Sequence, residues 1–292
     1  MSKKVMRKKL IVNADDFGYS TAVNQAIIKA FDQGVLTSCS LMVGEVAFDE
    51  AVELARARPK LAVGLHLVVI CGRSVLPASK IPHLVDSQGN FSLDPFLAGV
   101  KYYFSSAARK ELREEIYAQM EKFASTNLPF SHIDGHLHLH MHPTVFAILS
   151  EAAEKFGVKR VRLPRETLIH TLNLRRRNLA MKLVWWTVFH LLSRHATKLL
   201  TPHNFNVVER VYGLLESGAM TEDFWLGILP QISTEINEIY CHPEMSALAI
   251  NSTNLHGEEE LAALLSEKVR AKLQEHSFDL INYFDLDNLK GN

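Results

Sequence analysis

The chain lacks a cysteine pair, a charge excess and an apolar run of membrane length, and each absence removes a class of protein. Its three cysteines, Cys39, Cys71 and Cys241, are odd in number and show no CxxC spacing, so they read as buried thiols in a reducing compartment. Formal charge sums to zero, 32 basic against 32 acidic residues. Neither a nucleic-acid footprint nor an acidic tail is therefore indicated. No stretch approaches a bilayer span. The basic start, residues 1–9, leads into an apolar run that stops at Asn13 before two aspartates. That is too short and too charged for export, and the expected location is cytoplasmic. No GxGxxG or Walker A sequence follows a strand signal, which weighs against dinucleotides and nucleoside triphosphates.

Histidine, by contrast, is concentrated in one place. His132, Asp134, His136, His138, His140 and His142 occupy the even positions of one run, while Ile133, Leu137, Leu139 and Met141 take odd ones. An extended chain would show one imidazole-rich face and one apolar face. Neutral imidazole is the commonest side-chain metal ligand, so the run points to a metal ion. Same-face residues on a strand lie about 6.6 Å apart, whereas donors at about 2.0–2.1 Å from one ion sit much closer together. One ion therefore takes one histidine here, or two if the chain bends at Gly135, and its other ligands come from elsewhere. The remaining histidines read as hydrogen-bonded strand-end residues or as partners of the ligands.

A chain of 292 residues with 47% hydrophobic content can bury a large core, and no linker divides it. Strand signals at residues 10–12, 35–43, 61–69, 158–163, 238–241 and 278–281 join the strand leading into the histidine run. Helical signals lie between them, from Thr21 with Ser20 as N-cap and Gly34 as stop, then at 47–57, 107–124, from Pro143 to Gly157, 221–229 and 258–274. Strands alternating with helices predict an α/β protein with a parallel sheet. At this length the expectation is a single-domain (β/α) barrel-like fold over residues 1–292, a distorted or incomplete TIM barrel. Residues 77–95 read as an inserted loop, and residues 167–200 as a basic and apolar helical segment.

In a barrel, chemistry sits at the C-terminal ends of strands. Three such ends carry ligand types: Asn13-Ala-Asp-Asp-Phe-Gly18, Gly64-Leu-His66 and His132-Ile-Asp-Gly-His136. A fourth, Ile239-Tyr-Cys-His-Pro243, ends in His242. Two histidines and one carboxylate from three strands would make a facial N,N,O set with positions open for water and substrate. Neighbours on a strand point to opposite faces, so Asp15 and Asp16 do not read as a glycosidase pair. One ligand plus one base, with Gly18 loosening the turn, divides them better; a helix cap is the plainer alternative.

These segments resemble, over nearly the whole chain, the signatures of YdjC-like carbohydrate deacetylases: residues 13–18, Val63-Gly-Leu-His66 and residues 132–136. More narrowly, Ser40-Leu-Met-Val-Gly44, Val161-Arg-Leu-Pro-Arg-Glu166 and His140-Met-His-Pro-Thr144 resemble the hopanoid-biosynthesis branch, HpnK. Carried over residue by residue, the resemblance implies that Asp16, His66 and His136 hold a divalent metal and that Asp15 is the catalytic base. It also implies that His242 faces the substrate as general acid. The resemblance implies Mg²⁺, whereas two imidazoles suit Zn²⁺ and similar ions better. Many members have serine at the position of Gly135, so a hydrogen bond such a serine supplies is missing here. Asp134, His138, Arg162 and Arg165 are the candidates for substrate binding. The implied reaction hydrolyses the acetamide of an N-acetylglucosaminyl group, on a hopanoid glycolipid or on a chitooligosaccharide-type sugar, giving acetate and the free amine.

Residues 167–208 contain no acid, while Arg175, Arg176, Arg177, Lys182, Arg194 and Lys198 surround the apolar run 183–192. Two readings stand: peripheral contact with an anionic membrane, at the inner membrane surface, or a helix pair packed in the core or at a homodimer contact. Two rival functions also stand, a metallo-phosphoesterase using Arg162 and Arg165 on phosphate, and a non-catalytic metal or lipid carrier.

Overall fold

The computed structural model describes residues 7–201, 205–245, 248 and 256–289. Most of the basic N-terminal run, and residues 202–204 of the basic segment, therefore lie outside the described residues. In chain order come β1 (Lys8–Phe17), α1 (Thr21–Gln33), β2 (Ser38–Leu41), α2 (Phe48–Arg56), β3 (Ala62–Leu67), α3 (Pro95–Phe104), α4 (Ser106–Ser125) and β4 (Ile133–Gly135). They are followed by α5 (Pro143–Lys155), α6 (Leu168–Leu174), α7 (Leu179–Leu200), β5 (Arg210–Tyr212), α8 (Glu222–Ile228) and β6 (Ile236–Cys241). Last come α9 (Gly257–Leu265), α10 (Glu267–Glu275), β7 (Phe278–Ile281) and α11 (Leu286–Leu289).

Leu10, Ile11, Val12 and Ala14 of β1 have no exposed surface, as a central parallel strand covered on both faces requires. β6 runs parallel along one edge, from Lys9 opposite Ile236 to Ala14 opposite Cys241. The other edge is shared. β7 pairs with its first half, Lys8 to Ile11, and β2 with its second, from Asn13 opposite Ser38. β3 and β4 continue the sheet beyond β2, and β5 flanks β6. Residues 159–165 then link its two ends: the Ile133 N–H donates to the Arg160 carbonyl (3.0 Å), and the Val211 N–H to the Arg165 carbonyl (3.3 Å). The curled parallel sheet is a distorted (β/α) barrel. Parallel strands place their C-terminal ends together, which brings residues 15–16, 66, 134–136 and 242 to one rim.

Local chemistry explains most boundaries. Ser20 caps α1, its Oγ accepting from the Val23 N–H (3.2 Å). The expected helix over 258–274 is two, because Ser266 stops α9 and caps α10 through the Lys268 and Val269 amides. Helix α3 follows the insertion at Pro95, with Asp94 as its cap. Residues 158–163 make only single bridges, from Val161 to Ile133 and from Arg160 to Asn206, not a regular strand, and β5 was not anticipated.

The larger correction concerns the histidine run. Its strand ends at Gly135, and Leu137 (φ 49°) and His138 (φ 54°) turn left-handed inside a 3₁₀ stretch over His136–Met141. No extended imidazole face forms, because alternation needs backbone that these turns break. On α7, Phe189, Ser193, Ala196 and Leu200 are buried at helical spacing, whereas Met181, Val184, Trp185, Val188 and Leu191 are exposed. The core-packing reading therefore describes one stripe of this helix only.

Candidate active site

Asp16 stands at the end of β1 where pairing with β2 slips between Ala14 and Phe17. Its backbone is left-handed, φ 66°. Bulge and turn together break the alternation that would send Asp15 and Asp16 to opposite faces. The Asp16 Oδ1 lies 3.0 Å from His136 Nδ1 and 3.3 Å from His66 Nε2. Donor atoms of Asp16, His66 and His136 all fall within 4.8 Å of one another. The Nδ1–H of His66 donates to Asp134 Oδ1 at 2.7 Å. That bond orients the ring and leaves Nε2 for an ion. These residues fit one divalent cation, with an open side toward a cleft of about 950 Å³ that Asp15, Asp16, His136 and His242 line.

Electrostatics agree with a cation at this point. Burial pushes the Asp16 carboxyl up, but the charge and hydrogen bonds of His136 and His66 outweigh it and hold the group well below the usual carboxylate range. Burial likewise lowers His66, and Asp134 and Asp16 outweigh it, raising the imidazole to about 10. Protons and a metal compete for these donors.

The description YdjC-like protein matches residues 9–275. The chain belongs to the YdjC-like family. The carbohydrate deacetylase of Geobacillus stearothermophilus is 32% identical over 283 residues, 95% of this chain and 98% of that protein. The carbohydrate deacetylase of Clostridium beijerinckii is 30% identical over 286 residues, 95% of this chain and 100% of that protein. A solved Enterococcus faecalis structure described as a cellobiose-phosphate cleavage protein superposes with TM-score 0.73 at 26% identity, over 96% of this chain and 99% of that one.

In this YdjC-like chain Asp15 is almost fully buried yet borders the cleft. Its two oxygens accept from Arg162 Nη1 and Nη2, each at 2.8 Å, and Oδ1 also accepts from Asn13 Nδ2 at 2.9 Å. Oδ2 faces His242 Nε2 at 3.9 Å. Arg162 has no exposed surface and also meets Asp134 Oδ2 (2.8 Å) and Glu238 Oε1 (2.7 Å). A buried guanidinium is tolerated only when so surrounded.

Four residues expected to touch substrate do not line the cleft. Arg162 and Asp134 have no exposed surface, Asp134 also accepting from Ser40 Oγ at 2.6 Å. His138 is turned inward by its left-handed backbone and pairs with the Tyr240 hydroxyl at 2.7 Å. Arg165 lines a different cavity, where α7 meets residues 164–169. Of the other histidines, His132 stacks on Tyr283 at 3.8 Å, and His140, held down to about 4 chiefly by burial, donates from Nε2 to the Arg162 carbonyl. A side chain at Gly135 would meet the His140 Cβ at 2.9 Å, so His140 fills the space a serine there would need.

Sequence reasoning missed Glu45 and Tyr19, both lining the cleft. Glu45 accepts from the Arg73 amide at 2.8 Å, and burial raises its carboxyl. Its signal was available: it follows the end of β2, on the rim where the other candidates stand.

Proposed function

We propose that this chain is a metal-dependent carbohydrate N-deacetylase, with Asp16, His66 and His136 holding one divalent ion. The observation that carries the reading is the meeting of that donor trio at the floor of one open cleft, which Asp16 and His136 line together with Asp15 and His242, in a chain of the YdjC-like family. Two imidazoles and a carboxylate favour Zn²⁺ or a similar ion over Mg²⁺. Such an ion supplies Lewis-acid chemistry, polarising a carbonyl and acidifying water.

The protein's own groups do the rest. Asp15 is the base: Arg162 and Asn13 hold it in place, and Oδ2 takes the proton of the attacking water. His242, half-open to the cleft, delivers a proton to the departing amine. Water and acetamide thus become acetate and a free amino sugar. The metallo-phosphoesterase alternative loses its anion clamp, since Arg162 is sealed inside and Arg165 lines another cavity.

The substrate we assign is an N-acetylglucosaminyl hopanoid. Cys71 borders the cleft and its thiol donates to the Leu93 carbonyl (3.7 Å). Leu93, and Phe96, Leu97 and Val100 of α3 beyond it, are exposed and would suit a lipid acceptor beside the sugar. Exposed Met181, Val184, Trp185, Val188 and Leu191 on α7, with Arg176, Arg177, Arg194 and Lys198 around them, would meet the anionic inner face of the membrane. Three unpaired thiols suit a cytoplasmic location there.

The test is acetate release from short chitooligosaccharides and from the hopanoid-linked sugar, with and without chelator. Asp15→Asn should lose turnover and keep its ion. Absence of chelator-sensitive acetate from every N-acetylglucosaminyl substrate overturns the reading, and acetate from the short sugars alone overturns the lipid assignment.

A further inference from the structure

A second cavity, of about 360 Å³, lies where α7 packs against residues 164–169, and it shares no lining residue with the catalytic cleft. Arg165, Arg194 and Arg210 line it together with His190, Ser193 and Thr197. None of the three arginines has an acidic partner among the described residues. Arg165 donates to the Thr197 hydroxyl, and Arg210 Nε to the Thr167 hydroxyl at 3.1 Å. The one lining carboxyl, Glu166, is turned to the protein, accepting from the Gly213 and Leu215 amides and the Thr171 hydroxyl. Ser193 is 2% exposed and its Oγ has no hydrogen-bond partner among the described residues. Trp186 is fixed by a bond from Nε1 to the Glu166 carbonyl (3.0 Å) and stacks on His190 at 5.0 Å, forming a wall.

Like charges gathered without acids repel one another, and a buried hydroxyl without a partner is costly. Here burial and the neighbouring Arg210 charge lower the basicity of Arg165. An anion with several acceptor oxygens relieves both at once, and planar guanidinium groups match phosphate oxygens.

We propose that this cavity is a binding site for a phosphate group, held by Arg165, Arg194 and Arg210 with the Ser193 hydroxyl as a further donor. The group could belong to a soluble phosphate compound or to a lipid headgroup, and the chemistry of recognition is the same.

The test uses the full chain, treated with chelator so that phosphate has no metal to bind. Inorganic phosphate and pyrophosphate are titrated calorimetrically, and sedimentation is followed with phosphatidylglycerol and with phosphatidylcholine vesicles. Removing one charge-assisted contact should weaken binding about tenfold or more. That loss is expected in Arg194→Gln and Arg210→Gln, with unchanged melting for Arg194→Gln, whose side chain is on the surface. Binding of the free anions without vesicle binding supports the site with a soluble ligand. Vesicle binding that the same substitutions abolish and pyrophosphate competes away supports it with a lipid headgroup. No saturable binding in either arm, or binding that both variants retain at parent strength, overturns the proposal. Acetate release does not enter this readout, so its failure and that of the deacetylase reading are distinguishable.

Discussion

Asp134→Asn exchanges one buried carboxylate for an amide of the same shape and isolates what that carboxylate does for His66. Asp134 has no exposed surface; Oδ1 takes the His66 Nδ1–H at 2.7 Å, while Oδ2 takes Ser40 Oγ at 2.6 Å and Arg162 Nη1 at 2.8 Å. Asparagine cannot do all of this. With its oxygen toward His66, its amino group confronts the Arg162 donor. Flipped, the amino group donates to Nδ1 and moves the imidazole proton to Nε2, the atom facing Asp16. Either arrangement forfeits a hydrogen bond to a charged group, about 1.5–3 kcal/mol. In a binding constant this is about 10- to 100-fold, the range in which partners of metal-bound histidines act. Competition with a fluorescent chelator for Zn²⁺ measures the loss, and Ser40→Ala, which touches the same carboxylate away from the imidazole, should lose less. An Asp134→Asn protein that melts cooperatively and binds Zn²⁺ within about threefold of the parent refutes the assignment of His66 as a ligand held by Asp134.

Arg162→Met strands the Asp15, Asp134 and Glu238 carboxyl groups in the interior and should cost about 3–5 kcal/mol in urea unfolding; a loss below about 1 kcal/mol would show that solvent reaches them. Glu166, pushed from 4.5 up to about 7 by burial, binds its proton more tightly folded than unfolded, so stability falls as pH rises from about 4.5 to 7. Urea unfolding of the parent at pH 5 and pH 8 should carry about 2.5 kcal/mol of this loss, and Glu166→Gln should lack it. Ser20→Ala removes the α1 cap and should lower stability by about 1 kcal/mol, read in the same assay.

The rim residues were legible because a parallel barrel converts a sequence property, polarity at a strand end, into a spatial one. Asp16, His66 and His242 each stand at the end of a strand with an apolar run, His136 follows β4 directly, and the topology gathers such ends. What no local pattern carried was the inward direction of Arg162. An arginine becomes a core residue only when acids from elsewhere surround it, here Asp15 on β1, Asp134 on β4 and Glu238 on β6. Those partners lie far from residue 162 along the chain, and an isolated arginine near a site reads as an anion clamp. The histidine run misled in the opposite way. Its period of two was real, but His132, His136, His138 and His140 serve four separate neighbours, Tyr283, Asp16, Tyr240 and the Arg162 carbonyl.

The same cluster ties the proposed ligands to the buried arginine. Asp15, Asp134 and Glu238 surround one guanidinium, and a fourth carboxyl group, that of Asp16, stands against His66 and His136. In a water-poor interior such an excess of acid calls for further positive charge, from a proton on His66 or from a cation beside it. Arg162 neutralises the inner side, at Asp15, Asp134 and Glu238, and leaves Asp16 facing the cleft as the group whose charge an ion would balance. Asp15 and Asp16, adjacent in sequence, thereby acquire different partners: one an arginine that keeps it anchored, the other the two imidazoles of His66 and His136. The proposed division into base and ligand rests on which side of the cluster each carboxylate faces.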